Sequence, residues 1–165
     1  MSAPLLVADS GPLIALARID LLSIPARIFR EALVTTAVWT EVMRAPREGE
    51  LAALAAAHET GLLHLVDDPV EVPPGLANDL RIGAGERSAI ALAIARQATV
   101  LVDERRGRAA ALAFGLPVVG TLGLLVRARD DGLIERVRPL TDALLASGYF
   151  LARPLVEQAL AAVGE

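Results

Sequence analysis

A length of 165 residues with 54% hydrophobic content suits one compact domain with an ample core, so a single domain over 1-165 is expected. The absence of cysteine excludes disulfides and thiolate zinc sites and points to a reducing, cytoplasmic setting. With 20 acidic against 16 basic residues, a net charge of -4 excludes binding by blanket neutralisation of phosphates, so any nucleic-acid contact must be local.

Residues Met1 to Ala8 carry no basic cluster and reach Asp9 before a signal-length apolar segment develops, so no export signal is read. Leu5 to Ala8 is the first predicted strand. Gly11 and Pro12 then open a helix carrying Leu13, Ile14, Leu16 and Ala17, and Pro25 punctuates the way to a second segment around Phe29. Ala32 to Thr35 reads as another strand, with Thr36 capping a helix through Trp39, Glu41 and Val42 that ends near Pro46. Glu48 to Thr60 is an alanine-rich helix, followed by the strand Leu62 to Val66 and a proline-rich loop from Asp67 to Asn78.

The second half continues the alternation. Ala84 to Gln97 is predicted helix, Thr99 to Val102 strand, Glu104 to Phe114 helix and Pro117 to Val119 a short strand, with Gly120 or Thr121 starting the next helix. From Leu133 onward one or two helices remain, the last opened by Arg153 and Pro154. The uncharged stretch Ala109 to Val126 approaches membrane-spanning length, but Gly115, Pro117, Gly120 and Gly123 divide it, and it reads as core rather than membrane. Alternating strands and helices imply an α/β domain with a mostly parallel central sheet. The helix from Ala84 is apolar nearly all round, so it belongs between layers, and the lone acid near its start, Glu86, stands out.

That acid joins a set placed where parallel sheets build sites, at the C-terminal ends of strands and the first turns of the following helices. Asp9 ends the first strand, Asp103 follows Val102 with Glu104 directly behind it, and Glu41 and Glu86 sit on early helix turns. An all-oxygen donor set suits Mg²⁺ or Mn²⁺ better than zinc or copper, and several carboxylates held close together require a compensating cation. Four of the acids have a plainer role open to them, Asp9 and Glu86 as helix caps, Glu41 as a solvated helical residue and Glu104 as a favourable charge at a helix N-terminus, whereas Asp103, the polar interruption after Val100, Leu101 and Val102, is less easily dismissed.

Four segments, taken together and in order, resemble the acidic blocks of PIN-domain proteins: Ala8-Asp9-Ser10-Gly11-Pro12-Leu13-Ile14-Ala15-Leu16, Val38-Trp39-Thr40-Glu41-Val42, Gly85-Glu86-Arg87-Ser88-Ala89-Ile90-Ala91-Leu92-Ala93 and Leu101-Val102-Asp103-Glu104-Arg105-Arg106. Val119-Gly120-Thr121-Leu122-Gly123-Leu124-Leu125 and Gly132-Leu133-Ile134 are similar to a VapC-like branch. The resemblance implies a three-layer α/β/α sandwich, Mg²⁺ or Mn²⁺, and an endoribonuclease that hydrolyses RNA phosphodiester bonds as the toxin of a type II toxin–antitoxin pair. Asp9, Glu41, Glu86 and Asp103 would then be the catalytic and metal-binding quartet, supported by Ser10 and Thr121. Glu104 stands where the branch often has a second aspartate, which leaves open whether Asp103, Glu104 or both face the metal.

Arg105, Arg106 and Arg108 follow Asp103 closely and are the candidate RNA contacts, either clamping a phosphate or pairing with Glu104, while Ala109, Leu112 and Ala113 are expected to bury the core side of their helix. The apolar C-terminal segment Leu144 to Val163 predicts a homodimer, and the toxin reading implies a cognate antitoxin. Gly83-Ala84-Gly85 lacks the third glycine and preceding strand of a dinucleotide site, and a phosphoacceptor receiver would need a lysine that the chain lacks. His58 and His64 read as structural or surface residues. The remaining rival is a PIN-like fold kept as a non-catalytic binding or regulatory module.

Overall fold

The computed structural model describes residues 3–44 and 46–165. In chain order the elements are β1 (Leu5–Ala8), α1 (Ser10–Arg18), α2 (Ile24–Ile28), β2 (Glu31–Thr35), α3 (Thr36–Val42), α4 (Glu48–Glu59), β3 (His64–Val66), α5 (Pro74–Ala77), α6 (Ala84–Arg96), β4 (Thr99–Leu101), α7 (Arg105–Ala113), β5 (Val118–Val119), α8 (Thr121–Asp130), α9 (Arg138–Ala146) and α10 (Arg153–Ala162). The strands form one sheet in the order β3-β2-β1-β4-β5, parallel at every pairing and not merely for the most part. Helix α6 lies across β1, β2 and β4 and gathers α3, α5 and α7, while α1 gathers α4 and α8 and α10 packs on α8. The result is the expected three-layer α/β/α sandwich.

The central strands are short and apolar because both of their faces are covered. Leu6, Val7, Ala8, Val34, Val100 and Leu101 are all buried, and so is the run Ala89 to Ala93 of α6. A second apolar cluster joins Ala15 and Leu125 to Val137, Leu144, Val156 and Leu160, which ties α9 and α10 to α1 and α8. Much of the C-terminal apolar surface is therefore buried within the chain, leaving Leu145, Phe150 and Leu155 exposed. Among the described residues no helix is long and apolar enough to cross a membrane.

Local chemistry departs from expectation at several points. Thr35, not Thr36, caps α3, its hydroxyl accepting from the Val38 amide at 3.3 Å. The segment 67–78 is not wholly loop: Pro74 occupies the first turn of α5, where a missing N–H costs nothing, and the buried Leu76 pulls that turn inward. On α7 the packed side is Gly107 and Ala111, whereas Ala109, Leu112 and Ala113 are exposed, Leu112 at 60%. A Cβ on Gly107 would meet Val102 and the Glu86 carboxylate, so α7 sits too close to its neighbours for larger residues to face inward. His58 is exposed and stacks obliquely on Trp39 with ring centres 5.5 Å apart, and His64 is exposed at the start of β3, both in keeping with structural or surface roles.

One charged pair holds helices together away from the acids. Arg18 Nε on α1 donates to Glu50 Oε1 on α4 at 2.6 Å, and the Arg47 amide donates to Glu50 Oε2 at 3.1 Å, with the two side chains 18% and 6% exposed. Burial alone would raise the Glu50 carboxyl, but the Arg18 hydrogen bond, the Arg47 amide and the two guanidinium charges outweigh it and hold the group below its ordinary value. Such a contribution is fully present above the unfolded-state value of 4.5 and is lost as pH falls through the lower folded value. Glu50→Gln is expected to cost about 2 kcal/mol at pH 7, less than removal of a partner from a fully buried pair. Denaturant melts of the variant and parent should converge below pH 4, and coincidence already at pH 7 would show that the bridge contributes nothing.

Candidate active site

In a 3-2-1-4-5 parallel order the connections from β1 and β4 run in opposite directions, and the crevice beyond the C-terminal ends of those two strands is where such sheets bind ligands. Ala8 pairs with Leu101 at that edge, and the Asp9 amide donates to the Leu101 carbonyl at 2.9 Å, so the residues following both strands are side by side. A cleft of about 930 Å³ opens there, with Asp9, Ser10, Glu86, Asp103 and Glu104 on its wall.

Asp9 is only 5% exposed, and its Oδ1 is buried without a hydrogen-bond partner. It stands at the N-cap position of α1 yet makes no side-chain capping bond, so capping does not account for it. Burial, opposed by a hydrogen bond from the Ser10 backbone and reinforced by the charges of Glu86, Glu41 and Asp103, pushes its carboxyl up to about 7. Glu86 divides its two oxygens. Oε1 accepts from the Gly83 amide at 3.4 Å, which is the capping role, but Oε2 is buried and unpartnered. Burial raises this carboxyl as well, against the Gly83 bond and together with Glu104 and Glu41.

Asp103 and Glu41 are already engaged. Asp103 Oδ1 accepts from the Thr121 amide at 2.7 Å, and Oδ2 accepts from the hydroxyls of Thr121 and Tyr149, each at 2.5 Å. Burial, the Asp103 charge and the bond to it all raise the Tyr149 hydroxyl far above its ordinary value, so it remains a donor. Glu41 accepts from the Ser10 hydroxyl and the Gly85 amide, both at 3.0 Å, and lies behind the cleft wall rather than on it. Glu104 is exposed on the wall at the N-cap position of α7 without a side-chain capping bond. Asp103 and Glu104 thus both face the cleft, one fixed by its donors and the other free of them. Among the described residues no three acidic or histidine side chains close around a single point tightly enough to enclose an ion.

The backbone makes room for these acids at glycines. A Cβ on Gly85 would stand 2.6 Å from the Glu41 carboxylate, one on Gly107 2.2 Å from Glu86 Oε2, and one on Gly120 2.9 Å from Asp103 Oδ1. Asp68 Oδ1 accepts from the Ala37 amide at 2.9 Å and the Ser88 hydroxyl at 2.7 Å, which locks the starts of α3 and α6, the helices that carry Glu41 and Glu86. Sequence reasoning missed Tyr149 and Asp68. A single tyrosine in a chain this poor in aromatics was the available signal for the first, and the second lay in a segment read only as loop.

Arg105 and Arg106 are exposed and Arg108 is half-buried, all on the cleft, with Arg81 joining them from the loop before α6. Arg108 Nη1 donates to the Val102 carbonyl at 3.3 Å, and among the described residues no ion pair links Arg105, Arg106 or Arg108 to Glu104.

Two comparisons bear on this arrangement. The fold is similar to that of a PilT N-terminus domain protein from the hyperthermophilic archaeon Sulfolobus solfataricus P2, at 14% identity and a TM-score of 0.58 over 75% of this chain and 92% of that one. No curated protein sequence matches the chain. A family profile described as DUF3368, PIN domain, matches residues 5–165. With nearly its whole length covered by that profile, the chain belongs to the PIN-domain family.

Proposed function

We propose that the chain is a metal-dependent endoribonuclease whose reaction centre is the cleft at the ends of β1 and β4. PIN domains are generally metal-dependent nucleases. The observation that carries the proposal for this chain is the pair of buried, unpartnered carboxylate oxygens, Asp9 Oδ1 and Glu86 Oε2, among like charges. Uncompensated, such groups are costly, and an all-oxygen set of this kind fits a hard divalent cation, Mg²⁺ or Mn²⁺. Asp9, Glu86 and Asp103 are the proposed ligands, with Glu104 able to join from the rim and Glu41 held behind them.

When bound, such an ion supplies activation of water for in-line attack on phosphorus and neutralisation of charge on the leaving oxygen. The chain's own residues do the positioning. Thr121 and Tyr149 fix the Asp103 carboxylate, and Ser10 with the Gly85 amide fixes that of Glu41, so neither must reorganise when substrate arrives. Arg105, Arg106 and Arg108, none paired to an acid among the described residues, present guanidinium groups to RNA phosphates beside the acids. Local arginines on one wall reconcile RNA binding with a net charge of -4.

The finer assignment is a cytoplasmic VapC-like toxin with a cognate antitoxin, supported by the segments around Thr121 and Gly132. A homodimer is part of this proposal, supported by the exposed Leu145 on α9, which lies outside the cleft. The test of the activity is incubation of the purified chain with single-stranded RNA, with Mn²⁺ or with chelator. Cleavage in Mn²⁺ alone is expected; Mn²⁺ binding without cleavage would select the non-catalytic module.

A further inference from the structure

The chain has one tryptophan, one tyrosine and three phenylalanines, and two of these five, Tyr149 and Phe150, stand together at the cleft. Phe150 is 84% exposed. The backbone leading to it is anchored nonetheless, because Gly148 turns the chain at φ +85°, the Tyr149 amide donates to the Leu144 carbonyl at 3.1 Å, and the Tyr149 hydroxyl is bonded to Asp103. Phe150 therefore follows directly on a residue anchored to a site acid, and it lines both the 930 Å³ cleft and a neighbouring 520 Å³ groove. The first cleft is also lined by Arg81, Arg105, Arg106 and Arg108, and Arg108 lines the neighbouring groove with Phe150 as well.

We propose that Phe150 is a stacking platform for a nucleobase flanking the scissile phosphate. The inference rests on the ribonuclease reading above and adds to it a residue that contacts a base. An exposed aromatic face next to guanidinium groups matches both halves of a nucleotide, base on the ring and phosphate on the arginines. Bases inside a duplex are already stacked on each other, so only an unpaired one can occupy the platform. Charge complementarity within the same cleft favours RNA over a second copy of this net-acidic chain as the occupant.

The test is steady-state cleavage in Mn²⁺ of a single-stranded oligoribonucleotide by the full chain and by Phe150→Ala, Phe150→Leu and Phe150→Trp, with matching oligonucleotides in which one base at a time is removed. Loss of a stacked base should raise KM by roughly tenfold or more in Phe150→Ala and Phe150→Leu, with Phe150→Trp restoring it. One abasic position should impose the same loss on the parent and no further loss on Phe150→Ala. Equal KM for Phe150→Leu and parent, or additive losses from the abasic position and Phe150→Ala, would overturn the platform while leaving the ribonuclease standing. Sedimentation showing that Phe150→Ala turns a dimer into a monomer with unchanged RNA kinetics would assign the ring to a second copy instead. A parent that cuts no RNA in Mn²⁺ removes the ribonuclease reading, and the platform falls with it.

Discussion

Asp9→Asn is expected to lower RNA cleavage on the order of 10²–10³-fold, the loss typical of removing one preorganised electrostatic group, while making the chelated protein more stable than the parent. Both effects have one cause. The carboxylate is 5% exposed, one of its oxygens has no partner, and Glu86, Glu41 and Asp103 repel its charge, so without a cation the ionised group is a burden on the fold. Asparagine keeps the shape and removes the charge, although its amide must still find partners, so a gain of about 1–2 kcal/mol is the expected balance. For a chain of this size that corresponds to a rise in Tm of roughly 2–8 °C. Mn²⁺ at about 100 times its Kd should stabilise the parent by roughly 2.7 kcal/mol and the variant far less. Thermal melts of both proteins, chelated and with Mn²⁺, provide the check. An equal Mn²⁺ shift in the two would mean that the ion binds elsewhere.

Gly85→Ala and Gly107→Ala should each reduce cleavage by about 10- to 100-fold while leaving the fold in place. Glycine to alanine inside a helix ordinarily stabilises by about 1 kcal/mol, which makes a loss of function here diagnostic. A Cβ at 85 would stand 2.6 Å from the Glu41 carboxylate, so Glu41 would have to give up its bonds to Ser10 and the Gly85 amide. At 107 the collision is with Glu86 Oε2 at 2.2 Å and with Val102 Cγ2 at 3.0 Å, so a site acid and a core side chain both have to shift. Because a carboxylate is the mobile end of a flexible side chain, relief comes from moving the acid rather than the backbone. Gly85→Ala should therefore melt within a few degrees of the parent, and Gly107→Ala somewhat lower because Val102 is buried. Activity and melting temperature measured on the same preparations decide the matter. Full activity in both variants would show that the reaction does not need these carboxylates where they stand.

The sheet is largely legible in the sequence. Short apolar runs bounded by Gly, Pro and Asp at regular intervals have few solutions other than parallel strands separated by helices, and the structure adds the order and the parallel pairing at every interface. The exact strand ends shifted inward at β3 and β4, where Leu62, Leu63 and Val102 lie beyond the strand ends, although the Val102 amide still donates to the Val119 carbonyl at 2.9 Å. Side-chain orientation on α7 was misread because the choice between its faces depends on the distance to α6, which no periodicity contains.

The candidate site divides along the same line. Asp9, Glu86, Asp103 and Glu104 could be read from the chain because a polar residue at the end of a buried strand, or alone on an apolar helix, conflicts with its local surroundings. Their assembly on one cleft follows from β1 and β4 being neighbours. Tyr149, placed 46 positions from the aspartate it holds, Asp68 bridging α3 and α6, and the glycines that yield space to Glu41 and Glu86 carry no such conflict. Their partners come from other elements, brought near by burial of the apolar faces of α1, α6, α8 and α10, and the same burial left Asp9 and Glu86 each with an oxygen that no donor reaches. The sequence alone thus determined which acids are out of place for a core, and only the packing of distant segments decided which of those acids are held, which are left open, and what stands beside them.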